Sequence, residues 1–217
     1  MHTPAFLKLC RRIAVKFYMI NLLKKIDVFY INSDQFSEYR RFISDIYREA
    51  FAQPPYNEGE GAVIRFTAAL ERHLFRQGFR CIVARPYPNH PIVGFAFGYT
   101  AQPGQWWHDT VASVMNSEQV KKWLSDCFEL AELAVKPSFQ GLGIGGRLHD
   151  NLMADLPHRT AALSTINAES NALYLYRNRG WVTLVKNLKF SGGLRNYKIM
   201  GLDLNNSFKT RSFANAD

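Results

Sequence analysis

The chain has 217 residues, of which 47% are hydrophobic and 14% aromatic, a composition that fits one packed globular domain and excludes a disordered protein. Its net charge of +9 is concentrated at the start, because six lysines and arginines precede the first acidic residue, Asp27, and the rest of the chain carries only +3. This distribution argues against a nucleic-acid-binding body. DNA binding by the basic N-terminal segment is a separate alternative, and its affinity should fall steeply with salt.

The cysteines and the hydropathy pattern indicate the compartment. Cys10, Cys81 and Cys127 are scattered without metal-ligand spacing, so we expect buried, reduced thiols, no metal site and a cytoplasmic location. No apolar run approaches the roughly 18 residues of a membrane span, and no transmembrane segment is predicted. We expect residues 1–25 to form an added basic helix, with a membrane-surface helix as the alternative.

The predicted elements alternate between strands and helices. In the first half we predict a strand at 26–34, helices around 36–47 and 63–74, a hairpin of strands at 81–86 and 92–102, and an insert at 103–126. In the second half we predict a strand at 128–137, a glycine loop leading into a helix, a strand at 161–167, a short helix at 169–179, and a closing hairpin at 181–190 and 196–204. The domain should therefore span 26–204, followed by a frayed polar tail at 205–217.

Four glycines lie within six residues ahead of a predicted helix, in the segment "GLGIGG" at 141–146. Backbone N–H groups at a helix start bind phosphate, which explains a need for glycine there. A P-loop is excluded because no Lys-Ser or Lys-Thr follows. The spacing G-x-G-x-x-G is present, but "KPSFQ" separates it from the strand and no acid ends the next strand, which argues against a dinucleotide site. The alternative is that the glycines only allow close helix–strand packing.

Two segments carry a family resemblance. Gln140 to Gly145 resembles the Gln/Arg-x-x-Gly-x-Gly/Ala signature of the GNAT superfamily of acetyl-CoA-dependent N-acetyltransferases, and "LYLYRNRGW" at 173–181 is similar to its Leu-Tyr-x-x-x-Gly-Phe/Trp segment. The order of elements agrees from Ile26 to Leu204. The resemblance implies an α/β (α+β) fold in which helices flank a central mixed, mostly antiparallel sheet.

The resemblance also implies a function. The chain would transfer the acetyl group of acetyl-CoA directly to a primary amine of an unidentified acceptor, without a metal. A CoA-binding sensor or interaction module that lacks catalysis is the alternative, and a homodimer is left open.

The resemblance further implies where the cofactor binds. Backbone N–H groups from Gln140 to Gly146 would surround the CoA pyrophosphate, and the strand before the loop would pair with the pantetheine amides. The implied cofactor-binding residues are Leu133, Ala134, Val135, Gln140, Gly141, Leu142, Gly143, Ile144, Gly145, Gly146, Asn171 and Tyr176.

Catalysis needs a proton donor for the leaving thiolate and a base for the amine. The family often uses a Tyr four residues before the Gly of the second motif, which is Tyr176 here, while counting from Asn167 keeps Tyr174 as an alternative. Glu129 and Glu132 on the strand before the loop are the candidate bases. Strand alternation predicts Glu129 on the face of Val135 and Glu132 on the opposite face, unless a bulge intervenes.

Candidate residues for the acceptor lie in two variable regions. Tyr56 follows the first helix, and Trp106 and Trp107 lie in the insert, where an aromatic pair could equally cap the core or a dimer surface. His108 is a further candidate base. The sequence leaves open whether the acceptor is a small amine, an amino acid, a peptide, a protein lysine or an antibiotic.

Overall fold

The computed structural model describes residues 26–193 and 195–207. In this part of the chain seven strands form one sheet in the order β1-β2-β3-β4-β5-β7-β6. The strands are β1 (Asp27–Ile31), β2 (Arg80–Arg85), β3 (Gly94–Ala101), β4 (Cys127–Val135), β5 (Thr160–Ile166), β6 (Val182–Leu188) and β7 (Tyr197–Asp203). Strands β4 and β5 pair in parallel and the other neighbours are antiparallel, so the predicted mixed, mostly antiparallel sheet is confirmed.

Helices flank the sheet. They are α1 (Ser33–Phe51), α2 (Glu60–Leu74), α3 (Trp106–Ala112), α4 (Ser117–Trp123), α5 (Ile144–Met153), α6 (Asn171–Arg177) and α7 (Leu204–Ser207), with a 3₁₀ turn at Pro137–Phe139. The helices α1, α2, α5 and α6 were predicted, whereas α3 and α4 of the insert and α7 were not. The α1 helix begins with a capping box, in which the Asn32 side chain accepts from the Gln35 N–H and the Gln35 side chain accepts from the Asn32 N–H. An equivalent box at Asn116 and Gln119 begins α4, whereas α3 has no side-chain cap.

The two faces of the sheet carry different layers. On one face, α5 packs Leu148 and Leu152 into a core that includes Phe128 and Leu130 of β4. On the opposite face, α1 and α2 cover the half of the sheet that contains β1 to β3, where Phe95 and Phe97 are buried. The insert helices α3 and α4 cover the other half of that face, above β5, β6 and β7. The α1–α2 layer and the insert thus cover different halves of this face of the sheet.

A bulge in β4 changes the orientation of its acidic residues. Phe97 of β3 pairs with Glu132 and Gly98 pairs with Leu130, which leaves Ala131 as an extra residue in β4. Both glutamates consequently face α1 and α2, whereas Val135 belongs to the α5 core. The prediction that Glu129 shares a face with Val135 was therefore wrong, because the bulge that the prediction had left open is present, whereas Glu132 lies opposite Val135 as predicted.

Strands β4 and β5 separate halfway along their length. Their pairing ends at Glu129 and Ala162. Beyond this point, up to Val135, the described part of the structure gives β4 no strand partner on its β5 side, although β3 still pairs with its other edge. Because the two strands separate, the sheet is open at the end that lies next to the glycine loop.

Several predictions concern residues that lie outside the described ones. These are the N-terminal extension at 1–25, which includes Cys10, and the tail beyond residue 207. Within the described part, Cys81 and Cys127 are buried free thiols, and burial raises the pKa of Cys127 to about 12. None of the helices in residues 26–193 and 195–207 has both the length and the apolar character needed to cross a bilayer.

Candidate active site

A cleft of about 640 Å³ opens where β4 and β5 separate. Its walls are the loop after α1, including Tyr56, the end of β4 from residue 133 to 135, the glycine loop, and the start of α6 at Asn171. Ten of the twelve predicted cofactor residues line this one cavity, and the other two, Leu142 and Tyr176, do not. The volume suits an extended small molecule.

The first two glycines of the loop are required by the backbone. Gly141 and Gly143 have φ values of +74° and +76°, a left-handed conformation that side chains disfavour. A Cβ at either position would meet no atom within 4 Å, so the space in front of the loop is open. Gly143 is also the N-cap of α5, whose first N–H groups have no intrahelical partner and suit an anion. These observations fit the phosphates of CoA.

The last two glycines have a packing reason. A Cβ on Gly145 would lie 3.3 Å from Leu175 Cδ1, and a Cβ on Gly146 would overlap the guanidinium of Arg179. Close packing against α6 and the residues after it thus explains this pair without any ligand. Of the two explanations that the sequence offered, anion binding suits Gly141 and Gly143, and close packing suits Gly145 and Gly146.

The loop is attached to the end of β4. The Gln140 side-chain amide donates a hydrogen bond of 2.9 Å to the Val135 carbonyl. Ile144 is buried in the α5 core and Leu142 packs against it, so these two residues can offer only backbone groups to a ligand. The unpaired edge of β4 from Leu133 to Val135 is a row of backbone donors and acceptors, which fits the predicted pairing with amides.

Glu132 interacts electrostatically with three tyrosines, of which Tyr56 lines the cleft. Burial raises the pKa of Glu132 to about 8, with a contribution from the charge of Glu58, while a hydrogen bond from the Leu133 backbone opposes the shift. Burial, with a smaller contribution from the charge of Glu132, raises the pKa of Tyr56 to about 12. The same two causes raise the pKa of Tyr47. Burial, Tyr56 and Glu132 likewise raise the pKa of Tyr176. All three phenols stay protonated at neutral pH.

Glu129 occupies a separate, more enclosed environment. Its side chain is buried, Oε1 accepts a hydrogen bond of 3.3 Å from the Tyr99 hydroxyl, and Oε2 has no partner among the described residues. Burial raises the pKa of Glu129 to about 8, and the Arg76 charge and the Tyr99 hydrogen bond oppose this shift. The ring of Tyr99, which donates this hydrogen bond, is itself stacked on the His73 ring at a centroid distance of 5.3 Å.

The two candidate tyrosines differ in burial. Tyr176 is buried, and its ring packs 6.3 Å from that of His149 and 5.7 Å from that of Trp181. Tyr174 is 68% exposed and lines the outer part of the cleft. The electrostatic contacts with Tyr56 and Glu132 belong to Tyr176, which therefore lies nearer to the carboxylate.

The insert divides its aromatic pair between surface and core. Trp107 is buried and donates its Nε1–H to Ser164 Oγ at 3.3 Å, so it is a core residue. Trp106 is 59% exposed and its ring lies 5.1 Å from Phe190, which in turn lies 5.2 Å from Tyr197. We call Trp106, Phe190 and Tyr197 the aromatic row.

His108 is a poor candidate for a base. Its ring is buried, and Nδ1 lies 2.9 Å from the carboxylate of Asp109, its neighbour in the chain. The Asp109 carboxylate also accepts from the Gly104 N–H, so the pair stabilises the start of α3.

An ion pair that no sequence motif marks joins two loops. Arg195, in the loop between β6 and β7, donates a hydrogen bond to Glu58, in the loop between α1 and α2. Tyr47 was also missed, although its ring stacks 4.4 Å from Phe51 and 3.9 Å from Phe66. No motif marks these residues, because they meet only through the tertiary fold. In the part of the chain that the structure describes, no three His, Cys, Asp or Glu side chains are grouped as metal ligands.

Comparisons with known proteins agree with this geometry. A family model described as an acetyltransferase (GNAT) domain matches residues 109–198. A GCN5-like protein acetyltransferase of Mycobacterium tuberculosis is 33% identical over 124 residues, which cover 54% of this chain and 60% of that protein. The aligned region thus spans less than two thirds of that relative.

Two solved structures share the fold at low sequence identity. The crystal structure titled histone acetyltransferase HPA2 and related acetyltransferase, from Corynebacterium glutamicum, superposes with a TM-score of 0.55 at 19% identity, covering 82% of this chain and 95% of the other. The ribosomal-protein-S18-alanine N-acetyltransferase of Escherichia coli gives a TM-score of 0.52 at 17% identity, covering 82% and 94%. Residues 109–198 are thus similar to a GNAT acetyltransferase domain, and the fold as a whole is similar to that of the two solved structures.

Proposed function

We propose that this protein is an N-acetyltransferase that moves the acetyl group of acetyl-CoA directly to a primary amine. The observation that carries the proposal is the arrangement at the break between β4 and β5. There, a cleft with an open glycine loop meets a carboxylate surrounded by phenols. The cleft fits the cofactor because it combines the unpaired β4 edge with the free N–H groups of the α5 start.

Bound acetyl-CoA would supply an acetyl group activated as a thioester. An alkyl amine has a pKa near 10.4, so a base must remove a proton before the nitrogen can attack. Glu132 accepts this proton at a carboxylate oxygen. The Tyr176 hydroxyl, kept protonated by burial, donates its proton to the sulfur that leaves.

Glu132 is favoured over Glu129 as the base for two reasons. Its charge acts on Tyr56 of the α1–α2 loop, which lines the cleft, and on Tyr176 of α6. Glu129 is buried at 5% exposure, and its carboxyl group accepts a hydrogen bond from Tyr99, which is itself buried.

The acceptor is proposed to enter between the α1–α2 loop and the insert. Tyr47 and Tyr56 lie near Tyr197 of the aromatic row, which contributes to the raised pKa of both phenols. Glu58, whose charge also acts on Tyr47, is neutralised by its ion pair with Arg195. This environment favours an amine borne on an apolar or aromatic group. Because the aligned Mycobacterium tuberculosis relative is named a protein acetyltransferase, such an amine on a protein is included.

We also propose the boundaries and location of the enzyme. Residues 26–204 form the catalytic domain, with residues 1–25 as a basic extension and 205–217 as a tail. A cytoplasmic location is supported by the two buried free thiols and by the need for acetyl-CoA.

A ligand panel combined with an activity assay tests the proposal. We expect thermal stabilisation by acetyl-CoA and CoA but not by NAD or ATP, since binding at 100 times Kd adds about 2.7 kcal/mol to the free energy of unfolding. Thiol release from acetyl-CoA should then depend on an added primary amine. Stabilisation by NAD alone would contradict the assignment. Binding of CoA without amine-dependent thiol release across a broad acceptor panel would favour a non-catalytic module.

A further inference from the structure

A buried chain of hydrogen bonds lies behind the glycine loop. Trp181 Nε1–H donates to His149 Nε2 at 2.9 Å, and His149 Nδ1 lies 2.9 Å from Asp150 Oδ1. Because Nε2 accepts from the indole, the imidazole proton is on Nδ1 and is donated to the carboxylate. Both rings are buried, at 3% exposure for His149 and 4% for Trp181. The chain thus fixes one orientation of Asp150.

Asp150 in turn holds Arg179. Arg179 Nε donates to Oδ1 at 2.7 Å and Nη2 donates to Oδ2 at 3.1 Å, a two-point contact that fixes the plane of the guanidinium. Burial opposes ionisation of Asp150, but the hydrogen bonds from His149 and Arg179 outweigh it and hold the pKa of Asp150 well below its usual range. The carboxylate therefore stays charged, and the arginine stays in place.

This arginine is at the cofactor cleft. Arg179 lines the cleft together with Gly143 and Gly146, and its guanidinium occupies the space that a Cβ on Gly146 would take. A glycine within a helix destabilises it by about 1 kcal/mol relative to alanine, so the space that Gly146 leaves for this guanidinium lowers the stability of α5. Nη1 has no hydrogen-bond partner among the described residues. A fixed positive charge therefore lies against the first turn of α5, where the helix N–H groups already favour an anion.

We propose that Arg179 binds a phosphate group of CoA, and that Trp181, His149 and Asp150 position its guanidinium for that contact. The inference rests on the proposed function, because it requires CoA in the cleft. It assigns a phosphate-binding role to a residue outside the glycine loop. It also explains why residue 146 is a glycine, because a Cβ there would overlap the Arg179 guanidinium. The contact adds a charge-assisted hydrogen bond to the backbone contacts of the loop.

Calorimetric binding of three ligands tests the assignment. We expect Arg179→Gln to raise the Kd for CoA at least tenfold and to leave the Kd for pantetheine, which has no phosphate, within twofold. Arg179→Lys should recover part of the affinity, and Asp150→Asn should weaken CoA binding less than Arg179→Gln does. The matched control is Arg159→Gln, since Arg159 is an exposed arginine paired with Asp126, away from the cleft. It should change neither Kd.

The remaining ligand identifies the phosphate. If Arg179→Gln also raises the Kd for 3′-dephospho-CoA, Arg179 binds the pyrophosphate. If the Kd for 3′-dephospho-CoA is unchanged in this variant, Arg179 binds the 3′-phosphate. An unchanged Kd for CoA, or equal losses for CoA and pantetheine, would overturn the inference and leave a purely structural ion pair. Failure of the wild-type chain to bind CoA at all would instead overturn the proposed function, and this inference with it.

Discussion

At the scale of single residues, two carboxyl groups three positions apart have similar acid strength but different surroundings. Glu132 interacts with the phenols of Tyr56, which lines the cleft, and of Tyr176, whereas Glu129 accepts a hydrogen bond from the buried Tyr99 of β3. A base must lie close to the acceptor and must lose its proton near the working pH. Position relative to the cleft therefore separates the two where acid strength does not.

We expect Glu132→Gln to lower kcat/KM about 100-fold, within the usual range for loss of a general base. Because the pKa of Glu132 is raised to about 8, the wild-type rate should rise with pH up to that value, and the variant should lose this dependence. Steady-state rates between pH 6 and 9.5 measure it. Glu129→Gln should keep the wild-type profile. The reverse pattern would assign the base to Glu129.

The second residue-scale prediction concerns the proton donor. Burial raises the pKa of Tyr176, so its hydroxyl is a proton source at every working pH. We expect Tyr176→Phe to lower kcat at least tenfold while the Kd for acetyl-CoA stays within twofold. Tyr174→Phe is the matched control, because its exposed ring lies on the same helix. Equal turnover by wild type and Tyr176→Phe would remove Tyr176 from the mechanism.

At the scale of elements, the bulge in β4 sets the orientation of the two glutamates, and the insert carries Trp106, a proposed acceptor residue. A Cβ on Gly98 would overlap the Glu129 carbonyl and the Phe128 ring, so this mid-strand glycine accompanies the bulge. A glycine inside a strand is a known sign of a bulge, and Gly98 is therefore the sequence signal for the shared orientation of the two glutamates. The insert carried no comparable signal, since its position depends on contacts with β6 and β7.

The aromatic row gives the insert a testable role. If Trp106 contacts the acceptor, Trp106→Ala should raise KM for an aromatic amine such as 2-phenylethylamine about tenfold and change kcat less than twofold. Trp106→Phe should retain most of the affinity. Phe75→Ala is the control, because Phe75 is 90% exposed and outside both the cleft and the row. An unchanged KM for Trp106→Ala with aromatic and aliphatic amines alike would exclude Trp106 from the acceptor site.

At the scale of the whole molecule, the sequence was sufficient for the order of elements but not for their contacts. Periodicity predicted the seven strands and the helices α1, α2, α5 and α6, but not the helices of the insert or α7. The "QGLGIG" and "LYLYRNRGW" segments indicated elements that line the cleft. The Glu58–Arg195 pair joins residues 137 positions apart, and the Asp150–Arg179 pair joins residues 29 apart. Such partners share no local pattern, because they depend on how the layers pack.

The buried glutamates also make the stability of the whole domain depend on pH. Burial raises the pKa of Glu129 from 4.5 in the unfolded chain to about 8 in the folded one, so the folded state binds the extra proton between these values. Stability from this group is therefore complete below pH 4.5 and declines as the pH rises to about 8.

The variant Glu129→Gln removes the cost of burying an ionised carboxylate, because an amide has no charge to bury. We expect the melting temperature of the variant to match that of the wild type at pH 4.5 and to exceed it by at least about 4 °C at pH 8.5. Differential scanning calorimetry across this range measures the divergence. A melting temperature that stays equal to, or falls below, the wild-type value at pH 8.5 would show that Glu129 is ionised in the folded protein and has a partner that stabilises its charge.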